Sequence, residues 1–78
     1  MKEFLQYLIC LLVDYPQEVI VEEINLNDNS YTYKLKTNKN DIGKIIGKEG
    51  KIIAAIRNTA KIMAIKKGIH VRIEINEE

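Results

Sequence analysis

The sequence predicts an α+β fold in which three helices pack on a three-stranded sheet, in the order α-β-β-α-α-β. Apolar residues recur at helical spacing in residues 3–14 and 51–66, and they alternate with polar residues in 31–37 and 69–75. The chain has 78 residues, of which 46% are apolar. We therefore expect one domain over residues 1–78, with a modest core.

The first predicted element is a helix over residues 3–14. It ends at Asp14-Tyr15-Pro16, because the residue before a proline is pushed out of the helical conformation. One apolar stripe is expected to face the core. Its members are Phe4, Leu5, Leu8, Leu11, Leu12 and Tyr15.

The same segment bears on where the protein is located. Its apolar run is about ten residues long, too short to span a bilayer, and Gln6 interrupts it. No small-residue cleavage site follows, so we expect neither a membrane segment nor a signal peptide. Cys10, the single cysteine, cannot form an internal disulfide and is expected to be a buried small apolar residue. A cytoplasmic protein is the prediction.

A β-hairpin is predicted next. Residues 18–26 are rich in Val and Ile, although they alternate imperfectly, and residues 27–30 form a polar turn. Residues 31–37 alternate cleanly, which places one set of side chains on the face that packs against the helices. That set is Tyr31, Tyr33 and Leu35.

The second half of the chain predicts two helices and a strand. A short helix over about 41–46 has Asn40 or Asp41 as its N-cap. A longer helix, 51–66, ends near Gly68, which suits a left-handed C-cap. In the strand 69–75 the core-facing residues are Ile69, Val71, Ile73 and Ile75.

The longer helix carries two apolar stripes rather than one. The first is expected to pack on the sheet and comprises Ile52, Ile53, Ile56, Ala60, Met63 and Ala64. The second lies nearly opposite, and we name it the outward stripe: Ala54, Ala55, Asn58, Ile62 and Ile65. It is a candidate subunit interface, chiefly through Ala55, Asn58, Ile62 and Ile65. The alternative is that the N-terminal helix or a loop covers it.

Charge is distributed unevenly along the chain. Residues 1–33 carry one lysine and six acidic residues, whereas residues 34–72 carry eleven lysines and arginines and two acidic residues. The net charge of +1 therefore hides a basic block within an acidic frame. The asymmetry indicates a basic surface and an anionic partner. Charge alone leaves open the alternative of ordinary solvated lysines.

The segment Ile46-Gly47-Lys48-Glu49-Gly50 lies between the two predicted helices. A nucleotide-binding P-loop is excluded, because its glycine spacing is wrong and no Ser or Thr follows the lysine. Glycines at both ends of a four-residue turn allow unusual backbone angles and close approach of a phosphodiester backbone. The loop leads into a helix N-terminus, which favours an anion. Glu49 adds a negative charge, so its orientation bears on the strength of such a site.

This loop, its flanking isoleucines and the element order resemble the KH domain of RNA-binding proteins. The α-β-β-α-α-β order is similar to the type II, mostly prokaryotic, arrangement. Residues 40–58, NDIGKIIGKEGKIIAAIRN, carry most of the resemblance, which extends over the whole chain. The chain looks like the small bacterial single-KH proteins of the KhpA (YlqC-like) family.

The resemblance implies that a groove between the helices and the sheet edge binds four unpaired nucleotides of single-stranded RNA, whose backbone the loop clamps. It also implies a homodimer, or a heterodimer with a larger KH-containing protein of the KhpB (Jag-like) type, acting as an RNA chaperone or post-transcriptional regulator. Residues 34–78 contain no aromatic residue, so we expect weak, salt-sensitive binding. The implied contacts are the clamp Gly47, Lys48, Glu49 and Gly50, with Gly43, Lys44 and Ile46 before it and Lys51, Ile53 and Arg57 after it.

Catalysis has little support in the sequence. His70, the one histidine, is expected to face outward from the last strand, with no indicated nucleophile partner. No motif has metal-ligand spacing, so we expect no metal, no cofactor and no enzyme activity. The rival hypothesis is a protein-assembly module that uses the outward stripe, with the glycine loop as a tight turn. The basic block favours RNA over that rival.

Overall fold

The computed structural model describes residues 1–75. Six main elements follow in the order α1 (Lys2–Leu12), β1 (Ile20–Asn27), β2 (Ser30–Lys36), α2 (Ile42–Ile46), α3 (Lys51–Lys67) and β3 (His70–Ile75). Short 3-10 turns at Pro16–Glu18, Lys39–Asp41 and Lys48–Gly50 join them. The predicted α+β fold and element order are confirmed. The expected domain over 1–78 also includes residues 76–78, which lie outside the described residues.

The three strands form one mixed sheet in the order β1-β2-β3. β1 and β2 pair antiparallel, whereas β2 and β3 pair parallel and are joined through α2 and α3. Since β2 is central, β3 has one free edge, and α3 packs against this strand. This arrangement decides which residues can line a groove at the sheet edge.

The core lies between the helices and one face of the sheet. Tyr33 and Leu35 of β2 and Ile73 of β3 are buried, as their alternation predicts, while Val71 and Ile75 are half-buried. The Tyr33 hydroxyl donates a 2.8 Å hydrogen bond to Oε1 of Glu23, the residue opposite it on β1. The buried phenol is thereby satisfied.

The expected core stripe of α1 is partly wrong. The structure buries Leu5 and Ile9, whereas Phe4, Leu11 and Tyr15 are 37%, 65% and 39% exposed. The helix ends at Leu12, two residues earlier than expected, so Tyr15 is not on it. Apolar residues cover more than half of the helix circumference, and the sheet selects which of them face the core.

The short helix α2 begins differently from the prediction. Asp41 does not cap it through its side chain, and Asn38 instead accepts the backbone N–H of Asn40 at 2.8 Å. Asp41 is fully buried, and its two carboxylate oxygens accept the backbone N–H groups of Asp14 and Tyr15, at 3.1 and 3.0 Å. A buried carboxylate needs such donors, and the chain leaving α1 supplies them.

The long helix follows the prediction closely. Its first stripe packs inward, with Ile53, Ile56, Ala60 and Ala64 buried. Gly68 ends the helix in a left-handed conformation (φ 70°), and the N–H of Ile69 donates to the Ala64 carbonyl at 3.0 Å. That bond places Ile69 in the cap, so β3 begins one residue later than expected.

Candidate nucleic-acid interface

The glycine loop is a closed turn between α2 and α3. The N–H of Gly47 donates to the Gly43 carbonyl at 2.9 Å, which ends α2, and the N–H of Gly50 donates to the Gly47 carbonyl at 3.1 Å. Lys51 then begins α3 directly. The loop therefore has little backbone freedom, and a ligand would meet a shape that is already formed.

Three of its residues have positive φ angles. Gly47 has φ 75° and ψ 174°, a region open essentially to glycine alone. Gly50 is left-handed, with φ 72° and ψ 17°. Glu49, with φ 57°, is the one non-glycine residue with positive φ among residues 1–75. Such an angle is strained for a side-chain-bearing residue, and strain of this kind clusters at ligand-binding sites.

Side chains around the loop divide into exposed charges and packed isoleucines. Lys48, Glu49 and Lys51 are exposed. Ile46 is half-buried against the core, whereas Ile53 is 6% exposed and belongs to it. Ile53 offers a base little surface in this conformation, so its implied RNA contact stays a prediction.

Gly43 lies on α2, one turn before the glycine loop. Its backbone is helical, and a Cβ atom placed on it would meet no atom within 4 Å. Neither the backbone nor the packing requires glycine here, and glycine inside a helix is less stable than alanine by roughly 0.5–1 kcal/mol. A bare backbone at an exposed position leaves room for a ligand to approach.

Lys44 is not a free cation beside the loop. Its ammonium donates a hydrogen bond to Oδ2 of Asp14, and Oδ1 of the buried Asp41 lies 3.9 Å from it. The hydrogen bond to Asp14 raises the pKa of Lys44 above its ordinary value. Lys44 therefore remains charged, with acidic neighbours that offset its field.

An open groove of about 660 Å³ lies between α3 and the free edge of β3. Arg57 of α3 reaches the edge, where its Nε and Nη2 each lie 3.3 Å from the Ile73 carbonyl oxygen and donate to it. Hence this predicted site residue lies in the groove, at an outward-facing backbone acceptor of the edge strand. Arg57 follows Gly50 by seven residues, about 10 Å along α3.

Two further cations line the groove that sequence reasoning did not assign to the site. They are Lys61 of α3, one turn beyond Arg57, and Arg72 of β3, which lies 3.3 Å from Oε2 of Glu74. The basic block was visible in the sequence. The position of Lys61 and Arg72 in the groove depends on β3 being an edge strand beside α3.

The outward stripe of α3 is uncovered in the part of the chain that the structure describes. Ile62 and Ile65 are 58% and 67% exposed, and Ala54, Ala55 and Asn58 are exposed as well. Asn58 also lines the groove, so the groove and the stripe adjoin each other along one helix. The alternative that α1 or a loop covers the stripe is excluded within residues 1–75.

Comparison with known proteins identifies the family of this chain. A family model described as KhpA/KhpB, KH domain, matches residues 2–75. The chain belongs to this family. The resemblance drawn from residues 40–58 is confirmed, and the α-β-β-α-α-β order of this KhpA/KhpB KH domain is the type II arrangement.

Relatives of this KhpA/KhpB KH domain match along nearly their whole length. "RNA-binding protein KhpA" of Chlamydia trachomatis is 47% identical over 78 residues, which cover 100% of this chain and 99% of the relative. The protein of the same name from Clostridium perfringens is 43% identical over 75 residues, covering 96% and 99%. That from Listeria monocytogenes is 38% identical over 77 residues, covering 99% and 100%. No solved structure matches the chain.

Residues 1–75 lack two features that would indicate other kinds of function. No group of three or more His, Cys, Asp or Glu side chains in this range could hold a metal ion. None of the helices in this range has both the length and the apolar character needed to cross a membrane.

Proposed function

We propose that this protein binds short single-stranded segments of RNA, with the Gly47–Gly50 loop clamping the phosphate backbone. The observation that carries the proposal is the loop itself: a closed turn with three positive φ angles, which contains the exposed Lys48 and is followed by the exposed Lys51. Membership of a family whose relatives are named RNA-binding proteins supports it. The domain 1–78 acts as a binding protein in the cytoplasm, without catalysis or cofactor.

In this proposal the RNA runs from the clamp along the groove between α3 and β3. Bases lie against the backbone of Gly43 and the half-buried Ile46, and Arg57 contacts a base edge or a phosphate. Lys61 and Arg72 add positive charge farther along the groove. The described residues that line the groove include no aromatic side chain for stacking, so affinity depends on charge and falls steeply with salt.

The experiment replaces Lys48 and Glu49 together with Asp and measures binding to short single-stranded RNA oligonucleotides at low salt. The glycines remain, so the backbone of the turn is retained. We expect binding to fall at least about tenfold, since a carboxylate that repels the phosphates replaces the Lys48 ammonium. Duplex RNA of the same sequence should bind weakly to the parent protein.

A matched control is Lys67→Asp, at the far end of α3. Lys67 is exposed and lies about 25 Å along the helix from Gly50. Lys67→Asp changes the net charge by the same amount as Lys48→Asp. It therefore measures the effect of a charge change away from the clamp. If both variants bind RNA as the parent does while remaining folded, the clamp assignment is wrong.

A second function rests on the outward stripe. We propose that its exposed Ile62 and Ile65 associate with a second copy of this chain, or with a larger KH-containing protein of the KhpB (Jag-like) type. An assembly of two grooves would bind one RNA strand more tightly than either groove alone, as an RNA chaperone or post-transcriptional regulator requires. Asn58 belongs to both the stripe and the groove, so its environment would change on RNA binding and on association with a partner.

A further inference from the structure

Lys44 forms an ion pair with Asp14, near the glycine loop in sequence. Lys44 lies on α2, three residues before Gly47, so its side chain begins within one helical turn of the glycine loop. Its ammonium is hydrogen-bonded to Asp14, which follows the end of α1. Both side chains are substantially exposed, 46% for Lys44 and 67% for Asp14. Exposed pairs of this kind contribute little to folding stability.

The position of Asp14 is determined by buried contacts. Its backbone N–H donates to Oδ1 of Asp41 at 3.1 Å, and the next N–H, of Tyr15, donates to Oδ2 at 3.0 Å. Asp41 is fully buried at the start of α2. The buried carboxylate therefore anchors the chain that leaves α1 and keeps the Asp14 side chain beside Lys44.

We propose that Asp14 competes with the RNA backbone for Lys44 and so lowers the affinity of the clamp. The inference rests on the proposed function and adds a residue that opposes it. A lysine that is already neutralised by a carboxylate neutralises less phosphate charge, so fewer of the counterions condensed on the RNA are released. The carboxylate also repels the phosphate directly. Asp14 thus lowers both the affinity for RNA and the dependence of that affinity on salt concentration.

The experiment measures binding of a short single-stranded RNA oligonucleotide to Asp14→Asn over a range of salt concentrations. The variant removes the carboxylate charge and keeps the backbone N–H that Asp41 accepts. Release of Lys44 should steepen the slope of log K against log salt by about 0.7, the value for one added contact on a single strand. At 100 mM salt this corresponds to binding about fivefold tighter, relative to a 1 M reference.

Glu18→Gln is the matched control. Glu18 is an exposed acid between α1 and β1, like Asp14, and its Oε2 accepts a 2.9 Å hydrogen bond from Asn38 rather than from a lysine. Both variants raise the net charge by one. We expect Glu18→Gln to change RNA binding much less than Asp14→Asn.

A double-mutant cycle with Lys44→Met isolates the pair. In the Lys44→Met background, Asp14→Asn should bind RNA as Lys44→Met alone does. The proposal is overturned if Asp14→Asn and Glu18→Gln change binding equally, or if the effect of Asp14→Asn persists without Lys44. The proposed function fails differently, through an unchanged affinity of the Lys48 and Glu49 double variant.

Discussion

A Cβ atom on Gly47 would lie 2.5 Å from Cγ1 of Ile52 and 2.8 Å from its Cβ. Real Cβ atoms do not approach other carbons so closely, and the Ile52 Cβ cannot move without the backbone of α3. Gly47 is therefore required twice, by its backbone angles and by the packing of the first turn of α3 against the loop. The fold itself therefore requires glycine at the start of the loop, whatever the loop binds.

Gly47→Ala should destabilise the protein by about 2–4 kcal/mol, since it combines backbone strain with overpacking. Gly50→Ala is the control, because a Cβ there meets nothing within 4 Å and only the left-handed angle opposes it. It should cost about 1–2 kcal/mol. Urea denaturation of both variants measures the difference, and equal losses would show that Ile52 does not restrict the site.

Gly43→Ala should separate stability from binding. Alanine favours the helix by roughly 0.5–1 kcal/mol and meets no atom of the protein, so the free energy of unfolding should rise. RNA affinity should fall, because the added methyl group lies where we propose the strand passes. Denaturation and RNA titration of the same sample check both results.

Thr59→Ala serves as the control for Gly43→Ala. Thr59 is exposed on α3 and does not line the groove, and its hydroxyl donates to the Ala55 carbonyl. Alanine should raise helix stability there too, without changing RNA affinity. A Gly43→Ala variant that binds RNA like the parent would remove Gly43 from the proposed site.

Ile62→Asp should yield a folded monomer. A carboxylate at the centre of an apolar interface must be desolvated, which we expect to cost about 2 kcal/mol or more and so raise the dissociation constant at least tenfold. Gln17→Asp adds the same charge at an exposed residue of the Pro16–Glu18 turn, away from α3, and should leave association unchanged. Sedimentation velocity distinguishes monomer from dimer. If the parent protein associates neither with itself nor with an added KH-containing partner, the proposed interface is wrong.

Tyr33 should make stability depend on alkaline pH. Burial, together with the hydrogen bond to Glu23, raises the pKa of its phenol well above the ordinary value of 10. Above about pH 10 the unfolded chain loses a proton that the folded protein keeps. The contribution of Tyr33 to the free energy of unfolding is therefore fully present below pH 10. Above pH 10 it falls by about 1.4 kcal/mol per pH unit.

The difference in unfolding free energy between the parent and Tyr33→Phe isolates this effect. It should decrease with that slope from pH 10 to 12, as followed by urea denaturation at each pH. Tyr7→Phe removes a hydroxyl from a residue that is 67% exposed and should leave the parent's slope unchanged. A difference that does not vary with pH would contradict the role of Tyr33.

The spacing of apolar residues and the positions of glycine and proline predicted most of the architecture. Alternation in β2 and β3, the inward stripe of α3, and the glycines that end α2 and α3 are local signals with which the structure agrees, except that Tyr31 is only half-buried and Thr32, on the opposite face of β2, is buried. The tight turn Gly47–Gly50 could be located because its two glycines tolerate the positive φ angles that the turn requires. Membership of the family followed from the same stretch.

Local signals were insufficient where two solutions bury similar apolar area. In α1, Leu11 and Ile9 are both apolar, and only the position of the sheet decides that Ile9 is buried and Leu11 exposed. Asp41 had a short-range interpretation, as a helix cap. Its actual partners are 26 and 27 residues away along the chain, and a single sequence contains no signal of that separation.

The amino-acid order was thus enough to predict the type II KH architecture, the glycine loop and the two-sided long helix, because each depends on spacing within one segment. The groove and the control of its charges depend on contacts between segments. Arg57 meets the Ile73 carbonyl only because β3 is an edge strand beside α3, and Asp14 meets Lys44 only because the buried Asp41 holds the chain there. Those contacts arise when distant segments share one core, and chain folding, rather than local pattern, decides them.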